Sequence, residues 1–421
     1  MAKPLNILIS GGGIAGGAFA YWLLRAQPNA LITIVERAPA LRLTGASVDI
    51  RSTAVDIIKK MGMEQTIRDH STKEEGMSWV DSNGKPFAIF RATGRTDFQS
   101  MTSEYEIHRG TLAKIFFGPT EERLSMIFDE TVDHYDQRDD GKVDVTLTNS
   151  KTTKTYDLLV AADGLGSRIR GQMLGAKPRE QIHDEGVHAA YFTIKEDMLR
   201  GSKLAAWHND TGGRVVMLRP DPHPEGRTRG HFMCVTTRDD VETKAKLNQA
   251  LKEGNESYMK LLEERYADAG WVAKPVLKAM RESDDFYCSI FAQIRSPRLQ
   301  NDGAVVLLGD AGYATPGFGT SLAIMGGYIL VGELLNSGFE VSTALKRYEG
   351  LVQPFVKKSQ GDDNMMQYLN PQTWWGVWIR DTILWLVAGL KLDKLMIMVS
   401  AMLGMQDSQL AMPDYPWPKE E

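Results

Sequence analysis

The stretch from Ile7 to Glu36, ILISGGGIAGGAFAYWLLRAQPNALITIVE, decides the fold of the first part of the chain. A short apolar run leads into Gly11-x-Gly13-x-x-Gly16, an apolar pattern of helical spacing follows, and a second apolar run ends on Glu36. A strand, a glycine-rich turn, a helix and a second strand that ends on an acid make up a dinucleotide-binding βαβ unit. We therefore predict that this part of the chain binds a nucleotide.

Each residue of this pattern has a physical role. Gly11 permits the tight turn, Gly13 lets the backbone approach a pyrophosphate, and Gly16 lets the helix pack closely on the strand. The start of the helix offers free N–H groups and the positive end of the helix dipole to an anion. Glu36 is placed to accept hydrogen bonds from a ribose hydroxyl.

Length and composition set broad limits on the class of protein. The 421 residues are enough for two domains or one large elaborated domain, and a net charge of −5 gives no reason to expect nucleic acid binding. The two cysteines, Cys234 and Cys288, are far apart and form no CxxC, which argues against a disulfide framework or a metal site. With an apolar strand beginning so close to Met1, we expect no signal peptide and a cytoplasmic protein.

The C-terminal region is unusually apolar. Residues 374–379, 382–390 and 395–403 are apolar runs, but charges such as Arg380, Asp381 and Lys391 separate them. None reaches the roughly 20 residues needed to span a membrane. We predict amphipathic helices packed on the body of the protein, with peripheral membrane contact or a dimer face as the alternative for the Trp and Met side chains.

Patterns of short strands fill the middle of the chain. Residues 143–147 alternate as a half-buried strand, and residues 156–161 are predicted to be its partner. Several short β-rich runs predict a largely β domain inserted into the nucleotide-binding domain; they are residues 189–194, 214–218, 231–236 and 286–292. Residues 240–282 are charged and helical in pattern.

Two further motifs follow buried strands. Asp163-Gly164 comes after residues 158–161, with Ser167, Arg168 and Arg170 close behind. Gly309-Asp310 comes after residues 304–308, and a Pro-Gly-rich loop then opens a helical pattern over residues 322–335. An aspartate at a strand end can bind a ribityl hydroxyl, and a glycine-rich helix start can hold a phosphate or the anionic edge of a flavin.

The three motifs in this order resemble the group A flavin-dependent aromatic hydroxylases, which have the para-hydroxybenzoate hydroxylase fold. The nearest pattern is that of the tetracycline-inactivating monooxygenases and many oxygenases of secondary metabolism. The resemblance, which covers roughly residues 5–360, implies an α/β protein with a Rossmann-type FAD-binding domain, an inserted β-rich substrate domain and a C-terminal helical segment. The implied boundaries are 1–75 with 100–180 and 295–360 for the FAD domain, 76–99 with 181–294 for the substrate domain, and 361–421 for the C-terminal helices.

The resemblance also implies site residues. The FAD contacts are Gly11, Gly13 and Gly16 at the pyrophosphate, Glu36 at the adenosine ribose, Arg37 beside the adenine, Asp49, Arg109, Asp163 and Asp310 on the flavin side, and Gly317, Gly319 and Thr320 at the isoalloxazine edge. Arg42, seven residues before Asp49, is implied to contact NADPH. Tyr191 and Arg219, in the inserted β region, are candidate substrate contacts. For His188, His208 and His231 we predict core or rim positions.

The activity implied is that of a monooxygenase with tight, non-covalent FAD and NADPH or NADH as co-substrate. One atom of O2 would enter an aromatic or polyketide-like small molecule through a flavin C4a-hydroperoxide, and the cofactor carries this chemistry. A flavin oxidase or reductase of the same fold and a non-catalytic flavin-binding protein are the alternatives. A flavin-dependent halogenase is disfavoured because its Trp-x-Trp-x-Ile-Pro segment is missing. The identity of the substrate, the reaction outcome and the oligomeric state stay open.

Overall fold

The computed structural model describes residues 3–41, 46–92, 103–361, 365–392 and 411–418. The strands are β1 (Asn6–Ser10), β2 (Leu31–Val35), β3 (Ser47–Val48), β4 (Gly76–Val80), β5 (Pro86–Arg91), β6 (Ile107–His108), β7 (Leu124–Ile127), β8 (Val132–Gln137), β9 (Val143–Leu147), β10 (Thr153–Tyr156), β11 (Leu158–Ala161), β12 (Ile182–Ile194), β13 (Leu204–Asp210), β14 (Arg214–Pro220), β15 (Thr228–Val235), β16 (Tyr287–Ile294) and β17 (Val305–Leu307). The helices are α1 (Ile14–Ala26), α2 (Thr53–Lys60), α3 (Glu64–Asp69), α4 (Arg109–Phe117), α5 (Arg168–Leu174), α6 (Val241–Glu253), α7 (Asn255–Arg265), α8 (Ala273–Arg281), α9 (Asp310–Tyr313), α10 (Gly319–Asn336), α11 (Val341–Ser359), α12 (Met365–Leu369) and α13 (Trp374–Gly389).

A five-stranded parallel sheet, in the order β17-β11-β1-β2-β7, forms the nucleotide-binding core. Its central strands are apolar on both faces because both faces are covered. On one face Ile7 and Ile9 pack in a cluster with α1, α4 and α10. On the other face Leu8 and Leu159 join a cluster that includes the three-stranded sheet β10-β9-β8. The expected α/β core with a Rossmann-type sheet is thus confirmed.

One strand pairing predicted from the sequence was wrong. The run at residues 156–161 is split: β10 pairs antiparallel with β9, whereas β11 pairs in parallel with β1 and β17 in the core sheet. Asp157, between the two strands, accepts a hydrogen bond from Asn6 N at 2.8 Å and so marks the change of sheet. Because every residue of β11 is buried, its side chains match the two-sided burial of a parallel sheet better than an exposed hairpin.

The second large sheet has seven strands in the order β16-β12-β15-β14-β13-β4-β5. Its pairings are antiparallel except for the parallel contact between β13 and β4. Helices α6, α7 and α8 cover one face through a cluster that contains Phe192 and Phe232. The other face carries Trp79, Trp207 and Met217. Strands from two separate parts of the chain therefore form one sheet, and the predicted inserted β-rich region is confirmed as a distinct layer.

The apolar runs at residues 374–379 and 382–390 form one helix, α13, and not two separate segments. The charges between the runs do not break the helix: Arg380 is buried, and it donates hydrogen bonds to Asn209 Oδ1 and to Leu369 O, the latter at 3.0 Å. Many large apolar side chains of α13 are exposed, which differs from the expected packing; among them are Trp374, Trp375, Trp378, Ile383 and Trp385. None of the helices within the described residues is long and apolar enough to span a membrane. The run at residues 395–403 lies outside the described ranges.

Residues 411–418 pack against the nucleotide-binding core. Tyr415 and Trp417 lie on α1 and α10, with the ring of Trp417 4.3 Å from that of Trp22. Tyr415 Oη donates a hydrogen bond of 2.8 Å to the buried carboxylate of Glu333. A Cβ on Gly332 would overlap the Tyr415 ring, so the missing side chain makes room for this segment.

Candidate active site

The three motif loops meet at the carboxyl ends of β1, β11 and β17, as expected for a parallel sheet that binds a nucleotide. We name residues 11–16 the glycine-rich turn, residues 162–167 the Asp-Gly loop, and residues 308–318 the Gly-Asp loop. Gly11 has a φ of +116°, and a Cβ there would overlap the carbonyl oxygen of Ala162 in the Asp-Gly loop. Only glycine therefore satisfies both the backbone conformation and the contact between these loops.

The start of α1 is open to a ligand. A Cβ on Gly16 would overlap Gly11 O, so this glycine brings the helix against the turn, whereas a Cβ on Gly13 would meet nothing within 4 Å. Gly13 also caps α1 without any side-chain hydrogen bond, which leaves N–H groups of the first turn free. An open approach and free donors at a helix start fit a pyrophosphate.

Glu36 lies at the end of β2, beside the glycine-rich turn. Its two carboxylate oxygens accept hydrogen bonds from Gly12 N and Ala38 N, each at 2.9 Å. The side chain is half-buried, so part of the carboxylate faces outward, and the neighbouring Arg37 is exposed. Glu36 is therefore held against the glycine-rich turn.

Arg170 connects the Asp-Gly loop with the Gly-Asp loop. The sequence had predicted no role for this residue. Its guanidinium is fully buried and donates hydrogen bonds to Ala311 O and Leu165 O, both at 2.8 Å. Burial raises the pKa of Asp163, and its Oδ1 has no hydrogen-bond partner among the described residues. The signal for Arg170 was its place in the Asp-Gly motif, six residues after Gly164.

Asp310 and Arg109 come together from distant parts of the chain. Asp310 begins α9 and Arg109 begins α4, and their side chains lie 4.0 Å apart (Oδ2 to Nη2). A Cβ on Gly319 would lie 3.1 Å from Asp310 Oδ1, which places the start of α10 at the same point. Gly317 precedes this helix in the Gly-Asp loop, and Thr320 lies half-buried in its first turn.

Asp49 is linked to α10 through Arg51 and carries a free acceptor. Its Oδ2 is 2.9 Å from Arg51 Nη2, and Arg51 N donates to Ser321 Oγ in α10 at 2.8 Å. Asp49 Oδ1 is buried without a hydrogen-bond partner in the described part of the chain. Buried acceptors on Asp49 and Asp163, together with the open helix start, fit a bound FAD, whose hydroxyl groups would supply the missing donors. Arg42, predicted to contact NADPH, lies outside the described residues.

A small polar cavity lies between the seven-stranded sheet and β3 and β6. We name it the sheet cavity; the side chains that define it are Ser47, His108, Tyr191, Arg229, His231, Asp285 and Tyr287. Its volume of about 10 Å³ leaves room for about one water molecule. The ring of Tyr191 stands edge-on to that of His231, with centroids 4.9 Å apart.

The pKa values of both histidines of the sheet cavity are lowered, which favours the neutral imidazole near pH 7. Burial, with the positive charges of Arg219 and Arg229, lowers the pKa of His231 well below its ordinary value. Burial, with Arg229 next, lowers the pKa of His108 to about 4. His231 Nδ1 and His108 Nε2 are buried without partners among the described residues. His231 was expected in the core or at its rim. Its cross-strand pairing with Tyr191 brings it into the sheet cavity.

Arg219, a candidate substrate contact, is occupied by two carboxylates. Its Nε lies 2.8 Å from Glu74 Oε2, and a second nitrogen contacts Glu106. Both glutamates are buried. Burial raises the pKa of Glu106 to about 8; Arg219 opposes the increase, and Glu74 and Asp49 add to it. Nothing in the sequence pattern indicated this network, because its members come from three separate segments.

Comparisons with known proteins agree with this geometry. Residues 5–358 match the family described as FAD binding domain. The chain is 31% identical over 423 residues to the FAD-dependent monooxygenase asL4 of Sarocladium schorii, covering 92% of this chain and 94% of that protein. It is 32% identical over 418 residues to the flavin-dependent monooxygenase eupH of a Phoma species, with 93% of each chain covered.

Among solved structures, the tetracycline destructase Tet(51) superposes with a TM-score of 0.73 at 27% identity, over 99% of this chain and 100% of that one. This likeness agrees with the tetracycline-inactivating branch expected from the sequence. The family match over residues 5–358 includes the three motif loops and every strand of the nucleotide-binding core. The chain belongs to the FAD-binding-domain family and is an FAD-dependent monooxygenase.

Proposed function

We propose that the chain uses NADPH or NADH and O2 to insert one oxygen atom into an aromatic or polyketide-like small molecule. The observation that carries the proposal is the meeting of Asp310, Arg109 and the start of α10 at the carboxyl ends of the core sheet, beside a second sheet with an aromatic face. The chemistry that FAD supplies when bound is activation of O2 after reduction by NAD(P)H, by the C4a-hydroperoxide route expected from the sequence.

Residues around the core sheet would hold the separate parts of FAD. The free N–H groups at the start of α1 would bind its pyrophosphate, and Glu36 would accept hydrogen bonds from its ribose. Asp310 and Arg109 would hold the ribityl chain and its phosphate, and Gly317, Gly319 and Thr320 would border the isoalloxazine ring. The FAD-binding domain would then comprise residues 1–75, 100–180 and 295–360.

The seven-stranded sheet would provide the substrate side of the site, within residues 76–99 and 181–294. Trp207, Met217 and Met233 are buried on its inner face, so they would exclude water from the bound substrate. Tyr191 and the neutral His231 would offer hydrogen bonds to a hydroxyl or carbonyl oxygen. Leu384 of α13 packs against the same cluster, which places the C-terminal helix beside the substrate sheet.

The relatives support the substrate class. Tet(51) is described as a tetracycline destructase, and tetracycline destruction is a reaction of a large polycyclic molecule. A sheet face built from tryptophan, tyrosine and methionine suits flat rings, because aromatic side chains stack on them and methionine adapts to their shape. We extend the class to phenolic and polyketide-like compounds on these grounds.

The first test is spectroscopic and chemical. Purified protein is expected to show flavin absorption and to release FAD on denaturation, and NADPH consumption is expected to increase with a panel of phenolic polyketides. Under ¹⁸O₂, the product of an active compound is expected to carry one labelled oxygen atom. Consumption of NADPH that yields only hydrogen peroxide with every compound would contradict oxygen insertion. Protein that takes up no FAD would contradict the whole proposal.

A further inference from the structure

Two arginines lie side by side on the inner face of the seven-stranded sheet. Arg219 of β14 and Arg229 of β15 are direct partners in the antiparallel pairing of these strands. Directly opposed like charges repel each other across a sheet, so this pair needs compensation from its surroundings. The structure provides it with four carboxylates, two for each arginine.

Arg229, like Arg219, lies between two carboxylates. Its Nε lies 2.7 Å from Asp221 Oδ2, and its Nη1 lies 2.9 Å from Asp285 Oδ2. Nη1 also donates to Thr193 Oγ1 at 2.6 Å. Asp285 is fixed in turn, because it accepts hydrogen bonds from Thr193 N at 2.7 Å and from Ser283 Oγ at 2.9 Å. The two carboxylates compensate the charge of Arg229, so no net positive charge remains there to attract a further anion.

The charges around the sheet cavity do not favour an anion. Four carboxyl groups face two arginines. The raised pKa of Glu106, about 8, favours its protonated form near neutral pH, so the other three carboxylates outnumber the two arginines and a small negative excess remains. His108 and His231 are neutral. Arg229 is the one cation among the described residues that line the cavity, and it is already paired twice.

A carboxylate brought into this space would lose its water without gaining a free cation. Desolvation of an unpaired charge is costly, and nearby carboxylates would add repulsion. The space itself admits about one oxygen atom, whereas a carboxylate has two. A hydroxyl or ketone group is uncharged and brings a single oxygen, so it meets neither obstacle. The unpartnered nitrogens of the neutral His108 and His231 are available to it for hydrogen bonds.

We infer that the substrate is uncharged where it meets the sheet cavity: a phenol, quinone or ketone oxygen enters there, and aromatic carboxylates are excluded because the carboxylates of this chain already occupy Arg219 and Arg229. The inference rests on the proposed function, since it assumes that the sheet cavity is the inner end of the substrate site. It narrows the substrate class to molecules without an acidic group at that end.

Benzoate binding to the flavin-loaded protein tests the inference. We would titrate sodium benzoate by calorimetry and by perturbation of the flavin spectrum, with benzamide as the uncharged probe. Asp221→Asn with Asp285→Asn leaves Arg229 without a counterion, so benzoate affinity is expected to increase by about tenfold or more, with benzamide little changed. Asp284→Asn is the matched control, because Asp284 is exposed and pairs with Lys195 instead.

Each outcome of the benzoate titration supports or contradicts the inference. Benzoate binding to the unchanged protein as tightly as benzamide would overturn the inference. Failure of both proteins to bind benzoate would contradict the role of Arg229 at the substrate cavity. If the double variant does not fold, Asp221→Asn alone removes one of the two counterions of Arg229, and benzoate affinity is expected to increase by a smaller factor; unchanged benzoate affinity would contradict the inference. Failure of the proposed function would appear separately, as absence of bound flavin or of substrate-dependent NADPH consumption.

Discussion

Arg170 Nη1 donates a hydrogen bond of 2.8 Å to the carbonyl oxygen of Ala311, and this contact joins the Asp-Gly loop to the Gly-Asp loop. The guanidinium has no exposed surface and contacts two further carbonyls, Leu165 O and Pro178 O. The two loops that would border the flavin are thus held by one side chain. The Asp-Gly motif has a structural role in this chain through Arg170, whatever its aspartate contacts.

Arg170→Met is expected to destabilise the protein and to weaken FAD retention. The buried Ala311 carbonyl and the partly buried Leu165 and Pro178 carbonyls lose a charged donor, and an unsatisfied buried group costs about 1–3 kcal/mol, so we expect a loss of roughly 2 kcal/mol or more in the free energy of unfolding. Urea unfolding and the flavin-to-protein ratio would measure both effects. The control is Arg168→Met, since Arg168 is exposed two residues away. Equal stability of the two variants would refute this role.

Two alanine substitutions in the glycine-rich turn are expected to differ in kind. Gly13→Ala should leave the flavin-free protein nearly as stable as before, because the added Cβ meets nothing within 4 Å, yet it should block the approach of the pyrophosphate. Gly16→Ala forces overlap with Gly11 O and should lower the melting temperature even without flavin. Melting curves of flavin-free protein and FAD titrations separate the two. A Gly13→Ala variant with unchanged FAD affinity would place the pyrophosphate elsewhere.

Asp310→Ala is expected to lose FAD. The carboxylate lies beside Arg109 and the start of α10, where the ribityl chain is proposed to bind, so its removal takes away hydrogen-bond acceptors that the backbone does not replace. Flavin content after gel filtration measures the loss. Asp302→Ala is a suitable control because that side chain is mostly exposed. Stoichiometric flavin and normal turnover in Asp310→Ala would show that the ribityl assignment is wrong.

Glu106 is expected to make the protein less stable as the pH rises. Its pKa is raised from an ordinary value of 4.5 to about 8, mainly by burial, so between these values the folded state binds more protons than the unfolded state. The stability that this group contributes is present below pH 4.5 and is lost as the pH rises to about 8.

Urea unfolding of the wild type and of Glu106→Gln tests this linkage. Between pH 7 and 8.5, the wild type should lose more stability than the variant, because glutamine cannot release the proton. The range lies above the titration of His108 and His231, whose pKa values are lowered. Parallel pH profiles for the two proteins would show that Glu106 carries no proton at pH 7.

Two glycine-to-alanine changes in neighbouring helices should act in opposite directions. In α10, Gly332→Ala would displace Tyr415 and weaken its hydrogen bond with Glu333. In α11, an added Cβ on Gly350 meets nothing within 4 Å, so Gly350→Ala should gain up to about 1 kcal/mol from helix propensity. The melting temperature is therefore expected to fall for Gly332→Ala and to rise slightly for Gly350→Ala. A chain shortened after residue 410 should resemble Gly332→Ala.

Local patterns in the sequence predicted the nucleotide-binding core. Features that depend on pairing between distant segments could not be predicted in this way. The run around Gly11 to Glu36 carries its own structure, because strand, turn and helix signals are local. The pairing was missed because the apolar run at residues 156–161 belongs to the core sheet, whereas the true partner of β9 is the polar strand β10, which gives no apolar signal.

The polar network of the site could not be found in the same way. Arg219 alone resembles a substrate contact, and only the fold brings Glu74 and Glu106 to it. His231 gave no ligand spacing in the sequence, and its position follows from pairing with Tyr191. Such relations depend on strand register, which single residues do not encode.

The contact between Trp22 and Trp417 bears on synthesis of the chain on the ribosome. Trp22 lies in α1, and Trp417 lies much later in the chain, in the last described segment, which packs on that helix. A nascent chain can therefore form the βαβ unit before residues 411–418 are made, and the face of the Trp22 ring that contacts Trp417 is covered only when they are. Until then it is an exposed apolar surface of the kind that chaperones recognise.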